Sequence, residues 1–415
     1  MNGHLSDVDV VVIGAGAAGL AAGKRLRETR ASAVVVEARR RIGGRSMTIP
    51  TCLGHPVDLG CEWLHSADLN PWSLIGRAMG LTIDERLPDW RSRVSRLRGN
   101  AAQSDWGTAY ADFEERMEEA AKAPTDIAAA ALLPADAPWN ALINAVSTWA
   151  NGVELDRLSV HDHVRYADSG INWRVCEGYG ALITGYGSTL PIRTETIVKR
   201  IDHRGRQVVV VTTQGDLRAQ AVIVTVPPSV LAAEAIGFDP PLPDKIAAAQ
   251  GLPLGIANKL FLALEPADAD FPIDCHVLGA TDRVATGSYQ LRPHGWPMVA
   301  AYFGGRLATE LEAAGVSAMA DFAIGELAGV FGNGIRQRLK PIAASCWVGD
   351  PFARGSYSYA LPGHAEDRRR LASPVDRRVF FAGEACSLRD FSTAHGAYRT
   401  GRAAAEEVIA TYNFN

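Results

Sequence analysis

The chain has 415 residues, a formal net charge of −4 and an ordinary globular composition, 47% hydrophobic and 21% charged. That length suffices for a large core and two interleaved domains, and a mildly acidic balance without a basic stripe speaks against nucleic-acid binding. No run approaches the ~20 apolar residues of a membrane span, and the six cysteines lack CxxC or Cys/His metal spacing, so no metal, free thiols in a reducing compartment and a cytoplasmic location are expected.

The first predicted elements form a βαβ unit. Asp9 to Ile13 reads as a buried strand, Gly14-Ala15-Gly16-Ala17-Ala18-Gly19 as a glycine turn opening a helix, and Val34-Val35-Val36 as a second strand tipped by Glu37. Gly14 permits the tight turn, Gly16 lets the backbone approach a pyrophosphate, and Gly19 lets the helix pack closely on the sheet. The free N–H groups of the helix start favour phosphate, and Glu37 is placed to accept from a ribose 2′-OH. These features together point to a dinucleotide. In the next loop the paired Gly43-Gly44 can pass close to a diphosphate, with Arg41 and Arg45 as charge-assisted donors.

Helical texture follows over 105–131 and 137–149, punctuated by Pro124, Pro134 and Pro138 and expected to lie over the cofactor's face. Strands are predicted over 196–198, 207–213 and 221–226, the last stopped by Pro227-Pro228. Residues 242–345 alternate apolar runs with loops and read as a second sheet with a helix near 317–330. Lys259 leads one of these runs, a place for a half-buried ammonium or for an edge-strand lysine that deters aggregation. Towards the C-terminus a hydrophobic strand ends in Gly383-Glu384, and a small-residue helix follows from Phe391.

Two of these segments share a likeness. Glu37-Ala38-Arg39-Arg40-Arg41-Ile42-Gly43-Gly44-Arg45 fits E-A-x-x-R-x-G-G-R, and with the Gly383-Glu384 segment it resembles the paired FAD signatures of the flavin-containing amine oxidase superfamily. The resemblance spans nearly the whole chain and is closer to the polyamine oxidase branch than to the monoamine oxidases. It implies an α/β fold, with a Rossmann-type FAD-binding domain (5–69, 196–241 and 346–411) interleaved with an α+β substrate-binding domain (70–195 and 242–345). It implies non-covalent FAD held by Gly14, Gly16, Gly19, Glu37, Arg39, Arg41, Gly43, Gly44, Arg45, Glu62, Trp63, Val198, Trp347, Gly383, Glu384, Thr393 and Ala394.

Four local likenesses imply the catalytic residues. Asp58-Leu59-Gly60-Cys61-Glu62-Trp63-Leu64-His65 resembles (D/E)-L-G-x-x-W-I-H, which makes His65 a candidate amine-positioning group. Gly255-Ile256-Ala257-Asn258-Lys259 resembles G-x-x-N-K, whose lysine holds a water against flavin N5. Trp347 to Tyr359 resembles W-x-x-D-x-(Y/F)-x-x-G-x-Y, in which Tyr357 forms one wall of an aromatic amine slot. Ser356 stands where monoamine oxidases carry the cysteine that bonds FAD. Ser392-Thr393-Ala394-His395-Gly396-Ala397 resembles S-T-x-H-G-A. There Thr393 replaces a second wall tyrosine, which widens the slot, offers a hydroxyl and favours a longer or bulkier amine. Glu62, Asp168 and Glu177 are candidate acids along a channel.

The resemblance thus implies hydride transfer from an amine α-carbon to flavin N5, imine hydrolysis and reoxidation by O2 to H2O2. The implied partners are O2 and a polyamine or another primary or secondary amine, with no nucleic acid and no membrane. Two other readings stay open on the sequence: a carbon–carbon desaturase of an apolar substrate on the same fold, and a flavoprotein that binds without turning over.

Overall fold

A run of valines places the first strand, Ser6–Ile13, inside an eight-stranded sheet. It pairs in parallel with Ala33–Val36 on one side and with Gly215–Val224 on the other. Val10, Val11 and Val12 are wholly buried, as expected of a parallel strand covered on both faces. Gly215–Val224 is flanked along its first half by antiparallel Val208–Thr212 and along its second by parallel Val379–Phe381. Pieces from the start, middle and end of the chain therefore share one sheet. The computed structural model describes residues 6–88, 90, 100–266 and 271–414.

The helices Ala17–Arg27 and Ala394–Tyr412 pack together on one face of this sheet. They approach so closely that a Cβ on Gly401 would run into the Ala18 carbonyl, which explains the small-residue texture of the last helix. The other face packs against Ala248, Ala249 and Leu252, in and just after the helix Pro243–Gly251.

The packing departs from the expected division at two places. Ile192–Arg193 pairs with Val35–Val36, and the helix Tyr179–Gly187 buries Leu182 and Ile183 in the same core as Leu20. Residues 179–193 thus belong with the first sheet, not with a 70–195 substrate piece, and 243–251 covers that sheet's other face. These elements are too short for their periodicity to show which core they join.

The second sheet has five antiparallel strands in the order Cys275–Leu278, Ser288–Leu291, Met298–Gly304, Ala257–Leu264 and Leu339–Ala344. Leu260, Leu262, Val299 and Phe303 turn one face towards the helix Val316–Phe331. The twofold repeat of a strand sends their neighbours the other way. Lys259 pairs with Tyr302, Tyr302 with Ser288, and Ser288 with Leu278, so one row of side chains crosses the sheet on the face opposite that core.

The helical region resolves into Asn100–Ala120, a 3-10 turn at Ala129–Leu132 and Asn140–Ala150. Among the described residues no helix is long and apolar enough to cross a membrane.

Candidate active site

A cavity of about 1410 Å3 runs from the glycine turn of the first sheet to the row of Lys259, Tyr302, Ser288 and Leu278 on the second. At its dinucleotide end Gly14 has φ 103°, a conformation that suits glycine. A Cβ on Gly19 would collide with the Gly14 carbonyl, so Gly19 sets the helix-to-turn distance without lining the cavity. Gly44 has φ 60°, and a Cβ there would come within 3.1 Å of the Gly16 Cα. The two glycine loops are therefore adjacent, with the Gly43 N–H donating to the Ala15 carbonyl at 2.8 Å. Gly16 caps the helix with no side-chain hydrogen bond, which leaves first-turn amides available to an anion.

Glu37 is buried, and its carboxylate accepts from the Ala15 N–H at 2.8 Å and the Arg39 N–H at 2.9 Å. Each oxygen keeps a further lone pair, as a ribose-binding acid requires. Arg39 pairs with Asp350 at 2.7 Å and lies over the Phe352 ring. Arg41 does not line the cavity; its guanidinium donates to the Ile42 carbonyl at 3.3 Å. Burial first, and then the charge of Arg39, lower its pKa. Val198 also lines the cavity.

From the C-terminal side, Glu384 closes the cradle. Its carboxylate accepts from Arg45 at 2.9 Å, the Ser358 hydroxyl at 2.6 Å and the Ser392 N–H at 2.8 Å. Burial pushes this carboxyl up, but the charge of Arg45 and the Ser358 hydrogen bond outweigh it and hold Glu384 below the usual range. Ser358 is fixed in turn by Arg368, which forms a bidentate pair with Asp162 (both bonds 2.7 Å) in a fully buried setting.

Lys259 reaches from the second sheet to the 58–62 segment. Its Nζ donates to Glu62 at 2.7 Å and to the Asp58 carbonyl at 3.0 Å, and the residue is 7% exposed. Burial pulls its pKa down, and the nearby charges of Glu62 and Asp58 more than restore it. Asp58 itself is pushed up to about 6 by burial, although it accepts from Thr48 and from the Tyr179 and Gly180 amides.

Around the lysine the walls are aromatic. Trp347 is anchored by its indole N–H on the Leu59 carbonyl at 3.2 Å. The Tyr357 hydroxyl donates to the Trp149 carbonyl at 2.6 Å and meets the Tyr302 hydroxyl at 3.1 Å. Trp63 packs edge-on to Trp90. His65 Nδ1 lies 2.6 Å from the Asn172 side-chain oxygen, so Nδ1 carries the proton and Nε2 is left as an acceptor. Burial lowers the pKa of this histidine, which favours the neutral ring.

Thr393 lines the cavity as expected, but its hydroxyl caps the last helix, accepting from the Gly396 N–H and donating to the Asp390 carbonyl. Its hydroxyl proton is thereby committed to the backbone. Ala394 and Gly383 line the cavity beside it. Asp168 also lines the cavity and is exposed, whereas Glu177 caps Thr82 away from it. Ser356 exchanges hydrogen bonds with Ala257 through its hydroxyl, both 2.9 Å. Tyr302, Trp149 and Trp90 escaped the sequence reading; the only signal for Tyr302 was its place in an apolar run that alternates in the second sheet.

Residues 149–409 match the family described as flavin containing amine oxidoreductase, and residues 12–76 match an NAD(P)-binding Rossmann-like domain. The chain is 30% identical over 450 residues to probable polyamine oxidase 4 of Arabidopsis thaliana, covering 96% of this chain and 86% of that protein. It is 31% identical over 436 residues to polyamine oxidase 3 of Oryza sativa subsp. japonica, covering 96% and 88%. The structure of wild-type putrescine oxidase bound to putrescine shares the fold, with TM-score 0.81 at 18% identity over 98% of this chain and 100% of that one. The chain therefore belongs to the flavin-containing amine oxidoreductase family, and the dinucleotide of its cradle is FAD.

Proposed function

We propose that this protein oxidises a polyamine or another primary or secondary amine, with O2 as the electron acceptor. The observation that carries the reading is the position of Lys259, buried at the boundary between the FAD cradle and a slot walled by Tyr357, Tyr302 and Trp149. FAD bound in the cradle formed by Gly14, Gly16, Gly43, Gly44, Glu37 and Glu384 would supply the two-electron oxidant for the amine α-carbon, with O2 as the final acceptor and H2O2 as its product.

The chain's own residues orient and dry the site. Gly14, Gly16, Gly43 and Gly44 bring backbone against the diphosphate, Glu37 takes the ribose, and Arg45 with Glu384 fixes the loop between cradle and slot. Tyr357 and Trp149 hold the amine's carbon skeleton in a restricted set of orientations, which lowers the entropic part of the barrier. Neutral His65 offers Nε2 to the amine N–H. No strong base is required, because the lone pair of a neutral amine drives hydride departure. In this account the first sheet with its helices binds FAD, and the second sheet with the 100–150 helices binds substrate. The names of the similar polyamine oxidases and of putrescine oxidase support an aliphatic amine.

The test is anaerobic addition of spermidine, spermine, N-acetylated polyamines, putrescine, benzylamine and a cyclic secondary amine to the yellow holoprotein. At least one class is expected to bleach the flavin band, and air is expected to restore it with release of H2O2. Bleaching by none of them would redirect the search to carbon–carbon desaturation.

A further inference from the structure

Position 62 is variable in the (D/E)-L-G-x-x-W-I-H pattern, and this chain fills it with an acid that reaches Lys259. The pair is short, 2.7 Å, and both side chains line the cavity. A lysine ammonium rides on a flexible four-carbon stem, yet here its two acceptors, the Glu62 carboxylate and the Asp58 carbonyl, come from one loop. That loop is itself fixed. A Cβ on Gly60 would run into the Arg45 carbonyl, and the Trp347 indole is hydrogen-bonded to Leu59.

We propose that Glu62 is a positioning residue: its carboxylate pins the Lys259 ammonium at the junction of the FAD cradle and the amine slot. The proposal rests on the reading of Lys259 given above. It deepens that reading by naming what fixes the lysine's place and charge.

The charged and titratable groups that bear on the pair are few. Asp58 and Cys61 lie on the same loop, Tyr302 on the neighbouring strand, and Arg174 and His294 act on Glu62. His65 also feels the Glu62 charge. Burial pushes Glu62 up, but Lys259, followed by Arg174 and His294, holds it below the ordinary range. Arg174 is buried, stacks on Trp63 at 4.9 Å and pairs with Asp84 and Asp274. Neutralising position 62 removes the largest influence that opposes burial at Lys259 and leaves Asp58, a carboxyl already pushed up to about 6, and the Tyr302 hydroxyl. The lysine then titrates lower, as burial of an ammonium without its partner dictates.

The experiment compares wild type, Glu62→Gln and Glu62→Asp as holoproteins. The visible flavin spectrum is titrated without substrate from about pH 7 to 10, the range below the ordinary lysine pKa, and kcat is followed over the same range. Wild type is expected to show no lysine titration in either readout. Glu62→Gln is expected to gain a spectral titration and a loss of kcat at the same midpoint, while Glu62→Asp keeps the wild-type spectrum. Glu62→Gln that binds FAD and shows neither change overturns the proposal. Should Glu62→Gln not fold, Glu62→Asp decides: a lower kcat with unchanged FAD affinity supports the proposal, and a wild-type kcat overturns it. Failure of every amine to reduce the wild-type flavin overturns the catalytic reading of the site and leaves the spectral titration as a separate result.

Discussion

The hydroxyl of Tyr302 meets that of Tyr357 at 3.1 Å, and Tyr357 donates its own hydrogen bond to the Trp149 carbonyl at 2.6 Å. Three elements distant in sequence are tied at one wall of the amine slot. Burial pushes the Tyr357 hydroxyl well above its ordinary range, so it stays a donor at any working pH. Tyr357→Phe keeps the ring and strands the Trp149 carbonyl. It is expected to cost about 1–3 kcal/mol of stability, seen as a lower urea midpoint, while amine turnover persists. Loss of turnover with unchanged stability would give the hydroxyl a chemical role instead.

Lys259→Met is expected to leave FAD bound and to slow turnover severely. It also abandons the Glu62 carboxylate in a buried site, a loss of about 3–5 kcal/mol. Adding Glu62→Gln to Lys259→Met is expected to recover much of that stability and none of the activity. Urea unfolding and stopped-flow kinetics on the two single variants and the double variant separate the two effects.

Gly19→Ala drives a Cβ into the Gly14 carbonyl and pushes the first helix off the turn. Overpacking of this kind costs about 1–3 kcal/mol, and here the displaced elements are those that hold the diphosphate. The variant is expected to purify folded but largely colourless, with a raised FAD dissociation constant. A fully yellow Gly19→Ala protein would show that the turn tolerates the shift.

Asp58 gives a signed pH dependence. Its pKa is pushed up to about 6 in the fold, against about 3.9 in an unfolded chain. Between those values the native state binds the extra proton, so this group's contribution to stability falls as pH rises through the window. Asp58→Asn removes that contribution. Unfolding free energies near pH 4 and near pH 6 are therefore expected to change less favourably with rising pH in wild type than in the variant.

Local signals were the ones the sequence carried best. The glycine turn, Glu37 and Gly43-Gly44 work through backbone conformation and close approach, and residue type reports both directly. Lys259 was marked by a charge at the head of an apolar strand. Tyr302 and Trp149 were not marked, because they reach the site through strand register and helix placement, which a single sequence does not encode at any fixed spacing. Thr393 lines the cavity, yet its hydroxyl serves as a helix cap, a competition between backbone and slot that only the geometry decides. The short strand Ile192–Arg193 was assigned to the wrong half for a similar reason, since two residues carry no periodicity.

The central claim is hydride removal from a neutral amine's α-carbon. The most direct measurement is anaerobic flavin reduction by the best amine and its α-deuterated form across pH. The account predicts a several-fold slower reduction with deuterium, and a second-order reduction rate constant that rises with pH as the substrate amine loses its proton. A pH-independent rate constant with no isotope effect would contradict it.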